Sequence, residues 1–410
     1  MSTPSLLNVP YRLKAGTLYS QIPETGAGDF AVTRSASNVA TRINSLGFIE
    51  TVADNVPRLD YPLGGAVNGC PALLVEPSAV NYLLRSQEFD NASWGKNATG
   101  INTSIGTNGI EANVAISPDG TQNADRVNFL LQPDADLGLT QNYAAATSGQ
   151  TYNMSIWFKG EGANIGKQIK VQMKRISGGT FVGSTSTITL TSGWVRFTSP
   201  AITLGASNSG VQVIVSSNDA TNTLIWGSQL EQGSIATSYI GPTTTAAITR
   251  GADLIRKTGI TSLIGQSEGT VYFEVEVTGE ARDRWICSID SSVNSFIQMA
   301  ITASRTILVS SLNAGSTVIS PLTSSALSVG YHKIAFAYNT ATNGCIMYID
   351  GVQNPVATRT VVAPGLPAFN DMSVGNFRSS NTDVLKAHVR ADALYPNRLS
   401  DTELATLTAP

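Results

Sequence analysis

The run Glu268–Gly279, EGTVYFEVEVTG, places Val271, Phe273, Val275 and Val277 on one face at every second position. A period of two is the side-chain repeat of a β-strand. Thr151–Phe158 repeats it, with Tyr152, Met154, Ile156 and Phe158 on one face. Shorter runs of the same kind recur between glycine, asparagine and aspartate turn signals at the spacing of an all-β sandwich. The pattern stops at Gly241-Pro242 and the three threonines that follow, residues that break a ladder. Two β-rich units therefore share one short joint, and the expected fold class is all-β, built from two antiparallel β-sandwiches.

Charge narrows the functional classes. Only 13% of the 410 residues are charged and the net charge is -3. There is no Lys/Arg cluster to hold phosphates, so nucleic acid is not expected as a partner. No apolar run reaches the roughly 18 residues needed to cross a bilayer, so no membrane insertion is expected. The start, MSTPSLLNVPYRLK, lacks the apolar core of a signal peptide, which implies a chain not exported by the usual route. Cys70, Cys287 and Cys345 are odd in number and far apart, unlike a disulfide scaffold or a zinc site, and read as reduced thiols. The only histidines, His332 and His388, fall late in the chain, which excludes a histidine-based triad or metal site built wholly from earlier residues.

The chain divides into residues 1–80, a strand-rich arm; 81–243, a jelly roll; and 244–410, a second sandwich. The arm carries the short β-runs Leu18-Tyr19, Phe30–Thr33 and Phe48–Val52, too little for a core of its own. It is either an attachment segment or a source of strands for the C-terminal sandwich or a neighbouring subunit. An echo favours that sandwich: Ala31–Ala36 and Ala247–Ala252 each join a short β-run to Thr-Arg and a small residue. On that reading the jelly roll is an insertion, and its junctions near Asn81 and Gly241 should lie together.

The segments TRSASNVATRINSLGFIETVADNVPRLDYP and CPALLVEPSAVNYLLRSQEFDNASW resemble a module recurrent in bacteriophage virion proteins, especially fibres and other appendages, over Leu18–Trp94. In such proteins the module precedes a lectin-like region. The middle unit resembles a carbohydrate-binding module through SGQTYNMSIWFKG, TSGWVRFTS and IWGSQLEQG. The last unit resembles a concanavalin A-like, laminin-G-like lectin domain through Gly330–Asn339, Tyr348–Gly351 and Leu394–Leu404.

A flat aromatic ring can stack on the C–H face of a pyranose, so Trp94 and Trp157 are the candidate carbohydrate-binding residues. Trp94 lies in the polar run NASWGKN and is expected to be the more exposed; Trp157, Trp194 and Trp226 fit buried strands. Related modules often hold calcium near positions matching Glu88, Asp90 and Glu231, but these read as surface carboxylates, and no metal or cofactor is assigned. Glu274 and Glu276 share a strand face about 6 to 7 Å apart, within the range of a glycosidase pair. The hydrolases of the resembled lectin-like fold continue with a third acid, where Thr278 stands here, so no catalytic residue and no enzymatic role are expected. His332 and His388 are expected to be strand residues with satisfied rings. The resemblances imply a structural protein of a phage particle, a fibre, spike or capsid decoration on the virion surface, made in the bacterial host cytoplasm. It would contact other virion proteins and host-surface or environmental glycans, as a homo-oligomer with a trimer favoured. The alternative is a bacterial carbohydrate-active enzyme or its glycan-binding accessory protein.

Overall fold

The computed structural model describes residues 2–9, 11–14, 16–35, 39–131, 137–176, 183–206, 210–378 and 380–410. Ala36, which ends the first half of the echo, lies outside them with Ser37 and Asn38. The fold is all-β, in two antiparallel sandwiches.

The C-terminal sandwich packs an 8-stranded sheet on a 7-stranded one. At the centre of the larger sheet, Glu268–Val277 is flanked by Gly330–Asn339 and Ala387–Tyr395. Val271, Phe273, Val275 and Val277 point into the core with Ile334, Phe336, Val389 and Leu394. The turn after Ile346–Ile349 uses Asp350 at φ 49° and Gly351 at φ 82°, the left-handed pair that joins two strands without splaying them.

Strands of the arm complete both sheets. Leu6–Asn8 and Ala72–Val75 pair with Ala387–Tyr395, Arg58–Asp60 pairs with Ala72–Val75, and Ala31–Thr33 pairs with Leu254–Thr258 in the opposite sheet. Leu6, Leu18, Phe30, Leu73 and Val75 join the same core as the C-terminal strands. The inserted unit has its own 5-stranded and 6-stranded sheets and a separate core of Phe89, Trp94, Met154, Ile156, Phe158, Val171 and Val213 among others. Its junctions are side by side: Asn81 lies opposite Ile248 in a short ladder, and the Tyr82 N–H donates to the Leu230 carbonyl at 3.0 Å.

The joint is locked by buried charge. Arg34 donates to Asp253 at 2.9 Å, Arg58 spans Asp253 and Glu76, and Arg250 lies 2.9 Å from Glu76. All five side chains are nearly inaccessible. Such ions persist in low dielectric only when paired and hydrogen-bonded, and this cluster adds the hydroxyls of Thr237 and Ser238. The arginines of the echo thus meet in one cluster, and Gly251 lies so close to the Ser35 carbonyl that a Cβ there would come within 2.0 Å.

A β-bulge decides the chemistry of the larger sheet's outer face. Glu274 pairs with Ala391 but Val275 pairs with Val389, so Arg390 is the extra residue. Before the bulge His388 and Arg390 face outward; after it Ala391, Ala393 and Tyr395 do, and Asp392 turns inward against Asn8 and Tyr11. The C-terminal helix Asp401–Leu407 covers the apolar end of that face with Leu404 and Leu407. A capping box between Ser400 and Glu403 starts it, satisfying N–H groups that the first turn leaves without helical partners. The polar end, with Glu274, Glu276, Tyr331, His388 and Arg390, stays uncovered by the helix.

Candidate functional site

The uncovered end of that sheet is one wall of a cleft. The hairpin Ala40–Ile43 with Ile49–Val52 rises beside it, the jelly roll contributes Trp157 and Arg196, and Ile235–Tyr239 of the joint closes the back. A cavity of about 290 Å³ lies here. It shares Ile43, Asp60, Leu63 and His388 with a neighbouring hollow of about 600 Å³ that reaches Tyr331, Arg390 and Cys70. On the other side it shares Ile43, Ile49, Leu63 and Trp157 with a smaller hollow of about 200 Å³ lined by Phe48 and Trp194. The three form one groove, aromatic at one end and charged at the other.

His388 stands at its centre. Its Nδ1 is 2.8 Å from Glu276 Oε2 and its Nε2 is 3.0 Å from Asp60 Oδ2. Carboxylates only accept, so both ring nitrogens must donate and the ring is an imidazolium. Burial alone would lower its pKa, but the bonds and charges of Asp60 and Glu276 outweigh burial and raise it to about 9. Glu276 responds in the opposite sense: burial opposes ionisation, yet His388 holds its carboxyl below the usual range. Asp60 is fixed from a second side by the Ile43 N–H at 2.6 Å. Beyond the trio, the Arg390 guanidinium lies 3.4 Å from the Tyr331 ring centre and reaches Glu274 at 3.3 Å. The free carboxylate edges can accept sugar hydroxyls, and the rings of Trp157, Trp194, Phe48 and Tyr331 supply apolar walls.

The tryptophans separate. Trp157 is 5% exposed and lines the central cavity, and its indole N–H has no partner among the described residues. Trp94 corrects an expectation: it is 1% exposed, 5.0 Å from Phe89 in the jelly-roll core, and its Nε1 donates to the Arg85 carbonyl at 3.0 Å. The polar run around it is a turn folded over a ring that points inward, so it has no free face for a sugar. Trp226 is buried on Tyr239, and Trp194 is half-buried with its N–H on the Ile116 carbonyl.

Glu88, Asp90 and Glu231 do not form one ligand set. Glu88 pairs with Arg85, Glu231 is buried against Gln229 and Thr237, and the Lys96 ammonium lies on the carbonyls of Asp90 and Asn91. His332 is satisfied, with Asp350 at 2.6 Å and the Ser328 carbonyl at 3.0 Å. Glu274 and Glu276 face outward as their strand pattern requires. Asp60, Arg196, Tyr331 and Arg390 carried no local signal as site residues, because each lies in a strand or strand end whose neighbours come from distant sequence.

No family model matches the chain, and no curated protein does. Among solved structures it aligns with NanB plus Optactamide at 16% identity and TM-score 0.32, covering 38% of this chain and 28% of that one. A Trypanosoma rangeli sialidase complex gives 15% identity and TM-score 0.31, over 38% of this chain and 25% of that chain. The Ruminococcus gnavus IT-sialidase CBM40 bound to alpha2,6 sialyllactose gives 15% and 0.31, over 37% of this chain and 92% of that chain. The chain thus spans about a quarter of the length of the sialidases it matches. Likeness of this degree transfers no activity. It does correct the expectation that the chain has no enzymatic role, since sialidases stand among the structures it aligns with, and nothing in these comparisons points to a phage particle.

Proposed function

We propose that this chain is a carbohydrate-recognition protein whose working surface is the groove between its two sandwiches. The observation that carries the reading is the Asp60–His388–Glu276 trio set beside Trp157 in a concave site. Fixed hydrogen-bond acceptors next to an aromatic wall suit a ring that presents hydroxyls on its edges and C–H groups on its faces. Titration of the purified chain with an oligosaccharide panel tests it, with Glu276→Gln and His388→Gln expected to weaken any binding at least tenfold. Binding unchanged in both variants would remove the groove from consideration.

The acids also support a second reading, turnover of a glycoside. The common mechanism pairs one protonated and one ionised carboxyl group across the scissile bond, and Glu276, beside the His388 imidazolium, suits the ionised role. Release of reducing sugar, abolished in Asp60→Asn and Glu276→Gln, would establish this reading.

The finer assignment sets this recognition on a phage particle, as an oligomeric surface appendage held by other virion proteins. Its support is the resemblance of Leu18–Trp94 to virion modules. A bacterial carbohydrate-active enzyme or its glycan-binding accessory protein is the alternative, and it fits the groove equally. Gold-labelled antibody against the chain, imaged on particles, separates the two homes; solution mass decides whether a trimer forms.

A further inference from the structure

The charges lining the central cavity are not balanced against one another. Each acid there already has a cation: Asp60 and Glu276 share His388, and Glu76 holds Arg58 and Arg250. Arg42 is paired with Glu50. Two lining cations, Arg196 and Lys386, have no carboxylate within ion-pairing distance among the described residues. Arg196 lies directly across the ladder from Trp157, spends one N–H on the Ser155 hydroxyl at 2.9 Å, and leaves Nε without an acceptor among the described residues. Lys386 is 8% exposed, and its ammonium donates to the Ile235 carbonyl.

A buried donor left without an acceptor is destabilising, and a desolvated cation without a counter-ion is more so. Burial lowers the pKa of both groups, and the charges of Glu231 and Glu76, which act on each from beyond ion-pairing distance, do not offset it. A fold that keeps two such cations in one concave, aromatic-walled site is complementary to an anion. Arginine presents parallel N–H groups that match the two oxygens of a carboxylate, and lysine adds a point charge.

We infer that the central cavity selects acidic saccharides, receiving the sugar carboxylate between Arg196 and Lys386 while the ring packs on Trp157. The inference rests on the glycan reading above and sharpens it to uronate- or sialate-type sugars over neutral ones. A sulfate ester carries the same charge and also fits an arginine fork, so the test sets sulfated against carboxylated sugars.

The test is an array of neutral, carboxylated and sulfated oligosaccharides, followed by calorimetry on the hits with the full chain, Arg196→Gln, Arg196→Lys and Lys386→Met. Carboxylated sugars should bind, their methyl esters at least ~10-fold more weakly, the fold-change of a lost charge-assisted bond. Arg196→Gln should abolish that difference and Arg196→Lys should restore part of it. Lys386→Met, away from the Trp157 ladder, gives the same readout should Arg196→Gln fail to fold. Neutral or sulfated hits indifferent to all three variants would overturn the inference and leave glycan recognition standing. An array without hits would overturn both.

Discussion

Arg58 and Asp253, 195 residues apart in the chain, are joined through two guanidinium nitrogens, Nε at 3.3 Å from Oδ1 and Nη2 against Oδ2. The same arginine reaches Glu76 at 2.8 Å, so one side chain ties the arm to the strand that opens the second sandwich. PRLDY, LLVEP and TRGAD, which supply Arg58, Glu76, Arg250 and Asp253, are therefore explained by folding before any recognition is invoked.

Arg58→Met should destabilise the chain by about 3 kcal/mol or more, because it strands part of a buried acid pair. Urea unfolding followed by tryptophan fluorescence measures it. Burial opposes ionisation of Glu76, but Arg250 and Arg58 hold its carboxyl well below the usual range. Its contribution is thus present above the unfolded carboxylate pKa and is lost as the pH falls toward the folded one. Arg58→Met should blunt that acid sensitivity.

The His388 trio has the opposite pH sense. A folded pKa near 9 against an ordinary value of 6.5 means that its stabilisation is complete below about pH 6.5 and disappears as the pH rises through 9. The ring is 28% exposed, so the loss should be on the order of 2 kcal/mol or less. His388→Gln should flatten the stability profile between those pH values, and a profile unchanged by the substitution would contradict the imidazolium assignment.

Asp392 faces the core because of the bulge, and burial lifts its pKa to about 6 against the hydrogen bonds of Tyr11 and Asn8. Here the folded state binds the proton more tightly than the unfolded one, so stability falls as the pH rises from about 4 to 6. Asp392→Asn keeps an acceptor for Tyr11 and removes the charge. It should raise the melting temperature at pH 8 more than at pH 4.

Cys70 is exposed and lines the larger hollow, while Cys287 and Cys345 are buried. Burial also raises both buried thiols, Cys345 to about 11. One thiol per native chain should react with Ellman's reagent. Capping Cys70 with a bulky maleimide should then weaken saccharides long enough to reach Tyr331.

Trp94→Ala should cost about 3–5 kcal/mol through the cavity it leaves. Trp157→Ala should combine a smaller stability loss with loss of saccharide binding. Calorimetry on the two variants at a temperature where both are folded separates a core ring from a groove ring.

The period-two pattern alone determined that the chain is all-β and which faces of Thr151–Lys159 and Glu268–Val277 turn inward, because alternation is a local property of a strand. It even set Glu274 and Glu276 outward. Alternation does not specify which strands become neighbours, however, and the site is made of neighbours: Asp60 from the arm, Trp157 and Arg196 from the inserted unit, Glu276 and His388 from the last sheet. Trp94 illustrates the same limit, since polar flanks describe the loop and not the direction its ring takes. Only the tertiary structure brought these groups together and shifted the outward face at Arg390, because hydrogen-bond register and charge pairing depend on contacts across long stretches of sequence.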